Sequence, residues 1–422
     1  MADSNTSTYL IVGDGVFGAS TAYHLAKAHP DSSIVLMDRT PYPCPLGASY
    51  DFNKIIRADY SDITYAKMTL EALEMWKTDP LFRPFFHQSG MVVVDNTGLG
   101  RKIIKNYDIL KAYSEATLFA PDKMRDLYDG IFANSNYQGI EEVYLNPLSG
   151  WAEATAALKS VIESAINHGV KYVEGDVEEL ILNSDGKCDG VQIKNGKRFL
   201  AEKVILCTGA GTAKLLVDSA PNNADLHVGP RMTAVAVVTG NVKLNANQME
   251  RFKNMPVFIH SGDVNGQVLP PTVDGLLKFC VDMSFTNNSY HEKSGQRISA
   301  PPEESQYEAS NTLQMECRRV VEGIYGKELE GFEFDSFRIC WDAITPTQDF
   351  VICAHPRYEH LYIATAGSFH GWKFLPLIGR YVVQMLDGGL DASLQQRWAW
   401  DRPMRGLTQP KGLPRRDLKD LV

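Results

Sequence analysis

The seven cysteines include no CxxC pair and no cluster with histidine, and their number is odd. Neither a disulfide framework nor a zinc site is therefore expected, and a reducing compartment is. No apolar run approaches the roughly 18 to 20 residues that cross a bilayer; the longest, such as Ala234 to Val238, read as buried strands. Basic residues are in the minority, 42 Lys and Arg against 51 Asp and Glu for a net charge of −9. That balance argues against a nucleic-acid partner, since neutralising phosphates needs a basic face. No basic stretch precedes the first apolar run, Tyr9 to Gly13, which is too short for the core of a secretion signal, and Lys419 to Val422 does not spell a peroxisomal tripeptide. A cytoplasmic protein with a small-molecule partner, and no membrane, is the expectation. Internal repeats and low-complexity tracts are absent too.

What is present is ordinary globular usage, 44% hydrophobic and 22% charged over 422 residues. This length calls for two domains, or one large α/β core with a second lobe. Residues 8–38 read as strand, glycine turn, helix, strand. Gly13, Gly15 and Gly18 are spaced GxGxxG directly after Tyr9 to Val12 and directly before a helical stripe through Ala22, Leu25 and Ala26. Gly13 suits the tight turn, Gly15 the close approach to a pyrophosphate, and Gly18 helix-against-strand packing. The helix N-terminus, with Val16 and Phe17, offers N–H groups to phosphates. Asp38 closes the second strand, where a carboxylate would meet a ribose hydroxyl. Helical spacing returns near 62–77, 151–168 and 303–325, with strand-like runs at 170–173, 178–182, 190–193 and 203–207. Between 226 and 290 the pattern alternates, with turns at 261–263 and 273–275.

Dinucleotide binding alone does not choose between NAD and FAD. Lys203 to Gly211, an apolar strand ending in a small-residue turn, resembles a segment that many FAD-dependent oxidoreductases place beside the flavin. Leu361 to Gly367, followed by the helix-like Leu375 to Leu386, has the same character. An NAD-dependent dehydrogenase would share the first 40 or so residues and leave these segments without an explanation.

Three further segments sharpen the likeness: Ala48 to Arg57 (ASYDFNKIIR), Asp79 to His87 (DPLFRPFFH) and Ser368 to Phe374 (SFHGWKF). With them the chain resembles the FAD-dependent amine oxidases that include monomeric sarcosine oxidase, fructosyl amino acid oxidase (amadoriase) and pipecolate and saccharopine oxidases, from about residue 8 to about 400. The resemblance implies an α/β fold, with a Rossmann-type FAD-binding domain and a second α+β substrate domain on a mostly antiparallel sheet. It is the architecture of glutathione reductase and D-amino-acid oxidase. The expected division is 1–80, 140–225 and 336–400 for the FAD-binding domain, 81–139 and 226–335 for the substrate domain, and 401–422 for a surface tail.

The family attaches FAD covalently to a cysteine, and the matching segment, Arg338-Ile339-Cys340-Trp341-Asp342, implies that Cys340 carries it; Cys207, Cys280, Cys317 and Cys353 are taken as plain buried cysteines. Lys278, in an apolar strand, matches the lysine that activates dioxygen, its alternative being a lysine that snorkels from an exposed face. Arg57 and Lys373 match a pair that holds a substrate carboxylate. Lys54, Tyr60 and His370 are further pocket candidates, and Lys54 and Lys373 are also expected to touch the cofactor. Arg39, Ser49, Val177, Gly209 and Ala210 join the cofactor contacts, as do Phe369 and Gly371. No metal ligands are expected.

The implied activity is oxidation of a secondary amine derived from an amino acid. Hydride passes to the flavin to give an imine or iminium ion, and dioxygen is reduced to hydrogen peroxide, in a monomer. Deglycation of fructosyl amino acids is the alternative; against it, only 22 residues follow Trp400 and the Ile55-Ile56-Arg57 pattern leans away from a sugar. A flavin-binding protein without turnover is a third reading, disfavoured by the intact Lys278, Cys340 and Arg57.

Overall fold

The computed structural model describes residues 5–303, 306–329, 332–402 and 414–422. Its first sheet has a parallel centre in the order Lys171–Glu174, Ile34–Asp38, Thr6–Val12, Arg198–Leu206, Leu361–Thr365. Three antiparallel strands extend it: Val177–Leu182, Cys188–Ile193 and Val351–Ala354. Strand Arg198–Leu206 joins the two arrangements. Its first three residues pair with Cys188–Ile193 and its last three with Leu361–Thr365, while Thr6–Val12 pairs with it from Leu200 to Leu206. Centre strands covered on both faces must be apolar throughout, and Leu10, Ile11, Leu36, Val204, Ile205 and Ile363 are all completely buried. Helices Val16–Ala28, Ile63–Thr78, Ala154–Asn167 and Ile378–Leu386 share one core with this sheet.

The second sheet is mostly antiparallel: Ser336–Ile344, Thr233–Lys243, Leu276–Val281, Gly266–Leu269, Val257–His260, Met91–Val94, Val143–Asn146, Thr117–Phe119. Only the pair Val257–His260 with Met91–Val94 is parallel. Helix Asn311–Tyr325 packs on it, burying Leu313, Cys317, Val320 and Ile324. A three-stranded patch, Asn53–Ile56, Gly150–Glu153 and Phe86–His87, links the two layers. The last described segment docks on the second lobe, where Asp417 accepts from Thr286 and Asn288, and Leu421 is buried; the rest of the expected tail, 403–413, lies outside the described residues.

Three element boundaries differ from the sequence expectation for local reasons. Residues 150–153 form a strand, because Ile55 pairs with Trp151, and the helix starts only at Ala154. The helix expected from 303 begins at Asn311, capped by Ser310, whose hydroxyl accepts the Leu313 N–H at 3.3 Å. The late helix begins at Ile378 and not at Leu375, since Leu377, at φ −133°, leaves helical geometry just before it; Trp372–Phe374 forms a short 3-10 turn instead.

Candidate active site

A cavity of about 1120 Å³ lies between the two sheets. An ordinary small-molecule site holds about 300 to 1,000 Å³, so there is room for a large cofactor together with a substrate. Its outer end is the glycine turn. Gly13 has φ +103°, and a Cβ there would stand 2.4 Å from the Cys207 carbonyl oxygen. Gly18 faces away from the cavity, and its Cβ would fall 1.7 Å from the Gly13 oxygen, so it serves the packing of helix on strand. Gly15 lines the cavity and is crowded only by the Ser49 hydroxyl, at 3.1 Å from a Cβ. That hydroxyl accepts the Val16 N–H at 2.8 Å and fixes the start of the helix. Asp38 accepts from the N–H groups of Asp14 at 2.8 Å and Arg39 at 2.7 Å, which aims its carboxylate along the same wall. Burial and the facing Asp38 raise the Asp14 carboxyl to about 8. Phe17, Arg39, Val177, Gly209 and Ala210 border this end as well. A glycine cradle, a helix N-terminus and an acid at the end of the second strand fit the pyrophosphate and ribose of a dinucleotide.

The inner end is cationic. Strand Leu276–Val281 brings Lys278 to the wall with 3% of its surface exposed, so it is not a snorkelling surface lysine. Its Nζ donates to Asp51 Oδ2 at 2.9 Å and to the Asn53 carbonyl at 2.5 Å, and lies 5.2 Å from the Phe52 ring centre. Lys54 donates to the same Asp51 oxygen at 3.2 Å. Burial by itself would push the Asp51 carboxyl up, but Lys278, Lys54 and Arg338 outweigh it and hold the group well below the usual carboxylate range. Arg338 donates to the carbonyls of Tyr50 and Gly47 and so pins the segment that carries Ser49 and Asp51. Cys340 is buried two residues along the same strand and lines the cavity. Asp342 lines it too, accepting the Phe369 N–H at 2.8 Å and thereby securing the turn at 366–369. Ala366, Ser368 and Phe369 all have positive φ in that turn. Phe369 and Gly371 border the cavity.

Among the described residues no carboxylate forms an ion pair with Arg57 or Lys373, which stand together. Arg57 donates to the Asp59 main-chain carbonyl, and Lys373 to the His370 carbonyl at 2.9 Å. The Asp59 side chain is committed elsewhere, to the hydroxyls of Tyr107, Tyr144 and Ser149 and the amide of Asn146. Burial, then the charges of Arg57 and Lys54, hold the Lys373 ammonium well below the usual lysine range. A buried lysine beside a half-buried arginine, both hydrogen-bonded only to main-chain carbonyls, is a receptor for an anion. Tyr60 and His370 do not line the cavity. They sit behind the pair, joined by a 3.0 Å hydrogen bond between the Tyr60 hydroxyl and His370 Nδ1.

Sequence reasoning missed Asp51, Arg338 and Asp342. Asp51 lies within Ala48 to Arg57, and Lys54 three residues on was the one local sign of a cation that needed an anion. Two cysteines taken as plain core residues, Cys207 and Cys280, also reach the cavity wall, and burial raises the Cys280 thiol to about 12. Cys317 lies in the second-lobe core, as expected. Among the described residues no group of three or more His, Cys, Asp or Glu could hold a metal ion, and no helix is long and apolar enough to cross a membrane.

A cavity with a dinucleotide cradle at one end and buried cations beside a cysteine at the other defines a flavin-type oxidoreductase. The match to known proteins agrees: the family model described as FAD dependent oxidoreductase covers residues 8–385, and the chain belongs to that family. It is 27% identical over 419 residues to the L-saccharopine oxidase of Schizosaccharomyces pombe, covering 93% of each chain. With a monomeric sarcosine oxidase of Bacillus sp. it shares 25% identity over 386 residues, covering 90% of this chain and 92% of the other. A modified fructosyl peptide oxidase from Aspergillus nidulans, solved in complex with FSA, superposes with a TM-score of 0.84 at 27% identity over 99% of this chain and 98% of that one. The protein is an FAD-dependent oxidoreductase whose relatives are amine and amino acid oxidases.

Proposed function

We propose that the protein oxidises a secondary amine carried on an amino acid, with dioxygen as the final acceptor. The observation that carries this reading is the Arg57–Lys373 pair, a half-buried and a buried cation on the cavity wall that form no ion pair with a carboxylate among the described residues. Bound FAD supplies the two-electron acceptor for a C–H bond beside the amine nitrogen, and dioxygen takes those electrons on to hydrogen peroxide. The chain's own residues do the rest. Arg57 and Lys373 grip the carboxylate of the substrate, and the enclosed wall excludes water, favouring the neutral amine over the ammonium ion. No strong general base is required. Lys278, held by Asp51, places a fixed positive charge where dioxygen is reduced. Gly13, Gly15, Ser49 and Asp38 hold the dinucleotide portion, and Cys340 carries the cofactor covalently. A monomer working in the cytoplasm completes the proposal.

A fructosyl amine is the second reading. It is favoured by the wall beyond the cations, where Ser261, Gln267 and Asp282 offer polar groups to a hydroxylated substituent, and by the fructosyl peptide oxidase likeness. A peroxide-coupled screen of the purified holoenzyme with sarcosine, pipecolate, saccharopine and fructosyl lysine tests both. Turnover of an amino acid amine supports the first, turnover of fructosyl lysine alone replaces it with the second, and turnover of none contradicts both. Acid precipitation tests the attachment: the yellow colour should stay with the pellet and move to the supernatant in Cys340→Ala.

A further inference from the structure

His370 belongs to the sequence motif that carries Lys373 and Tyr60 follows Arg57 by three residues, yet neither lines the cavity. The Tyr60 ring centre lies 4.7 Å from the Arg57 guanidinium carbon and 5.6 Å from Lys373 Nζ. One aromatic ring thus lies against both cations of the pair, and ring quadrupoles attract cations, the more when water is excluded. The ring itself is fixed by a chain of hydrogen bonds whose direction can be deduced. His370 Nε2 lies 2.8 Å from the Gln348 main-chain carbonyl, which can only accept, so Nε2 carries the hydrogen. Burial, with the charges of Lys373 and Arg57, pushes His370 down to about 3, so the ring is neutral near pH 7 and Nδ1 bears a lone pair. The Tyr60 hydroxyl therefore donates to Nδ1 at 3.0 Å. Its only proton is committed to His370, away from the cavity. Phe350 stacks on the imidazole at 4.9 Å and holds it in that plane.

We infer that Tyr60 is a positioning residue whose ring aligns Arg57 and Lys373 for one substrate carboxylate, and that His370 locks the ring by accepting the phenol hydrogen bond. The inference rests on the proposed amino acid substrate. It differs from a proton-transfer role, which would need the phenol or the imidazole to face the reacting atoms.

Two measurements on the holoenzyme test it. In the first, flavin absorbance reports the binding of pipecolate and of piperidine, which lacks the carboxylate. Tyr60→Leu should weaken pipecolate at least tenfold and piperidine less than twofold, while Tyr60→Phe, which keeps the ring, should stay within about threefold of the wild type. Equal weakening of both ligands, or Tyr60→Phe as damaging as Tyr60→Leu, would overturn the positioning role. A wild type that does not prefer pipecolate to piperidine contradicts the substrate reading instead. The second measurement is nitrogen NMR of histidine-labelled protein, which needs no substrate. His370 should show the neutral Nε2–H tautomer between pH 5 and 8, with its Nδ1 signal shifted in Tyr60→Phe. A protonated Nδ1 at pH 7 rejects the inference.

Discussion

At the glycine end of the cavity the working atoms belong to the backbone of one continuous stretch, Gly13 to Gly18, and to an acid on the next strand. At the cationic end they belong to side chains gathered from far apart: Lys278 and Asp51 are 227 residues from each other in sequence. The first end depends on the absence of side chains, since Gly13 and Gly18 leave no room for a Cβ. The second depends on charge balance, with one carboxylate, Asp51, shared by two lysines while Arg57 and Lys373 have no ion-pair partner among the described residues. Backbone cradles fail by steric overlap. Charge clusters fail by losing a counter-ion.

The largest effect should come from the glycine end. Gly18→Ala would place a methyl 1.7 Å from a main-chain oxygen that cannot step aside, so a loss of more than about 4 kcal/mol in denaturant unfolding is expected. Gly15→Ala meets only a serine hydroxyl at 3.1 Å and should fold while retaining its cofactor poorly. Equal damage from the two would mean that the cradle is only a packing motif.

Next is the counter-ion of the other end. Asp51→Asn leaves Lys278 and Lys54 without their shared anion, with an expected loss of about 3 kcal/mol. The sign with pH follows from the depressed carboxyl of Asp51: its contribution is full above the unfolded aspartate value, about 4, and disappears as pH falls through the folded value. The gap in stability between wild type and variant should therefore be widest above that pH and narrow in acid. A gap independent of pH would refute the pairing.

Lys278→Met should slow reoxidation of the reduced enzyme by dioxygen about thirtyfold, a barrier change of about 2 kcal/mol, and slow its reduction by substrate far less. Stopped-flow traces with both halves equally slowed would remove Lys278 from that role. The smallest effect has the opposite sign. Lys373 is a buried cation with no anion, so Lys373→Met should gain about 1 kcal/mol of stability at neutral pH while losing substrate binding. Because folding depresses its ammonium, the unfolded chain holds more protons between the folded and unfolded values, and wild-type stability should rise with pH there. The variant should lack that slope in pH-dependent unfolding.

The same contrast explains what was legible in the sequence. The glycine spacing, Asp38 and the strands around them are local patterns, and the strand, glycine turn and helix form from them, with Gly18 packed against the Gly13 backbone. The position of Asp51 between two lysines depends on the pairing of Leu276–Val281 with its neighbours in the second sheet, which no local pattern encodes. Tyr60 and His370 were found as candidates, but only the fold shows that they stand behind the cavity wall, because their side chains join a cluster with Tyr65, Phe350 and Phe374. Helix starts at Ala154, Asn311 and Ile378 were displaced by strand pairing, a serine cap and the non-helical backbone of Leu377, effects that hydrophobic spacing does not register.

A carboxylate received by Arg57 and Lys373 is what makes an amino acid amine the substrate. The most direct measurement is the anaerobic rate of flavin reduction in Arg57→Ala, compared with wild type, for sarcosine and for dimethylamine. Losing a buried, charged hydrogen-bonding partner removes about 2 to 5 kcal/mol. The efficiency on sarcosine should fall at least thirtyfold, with dimethylamine changed less than threefold and the flavin spectrum intact. An equal fall for both amines would contradict the carboxylate clamp and place Arg57 with the cofactor or the fold.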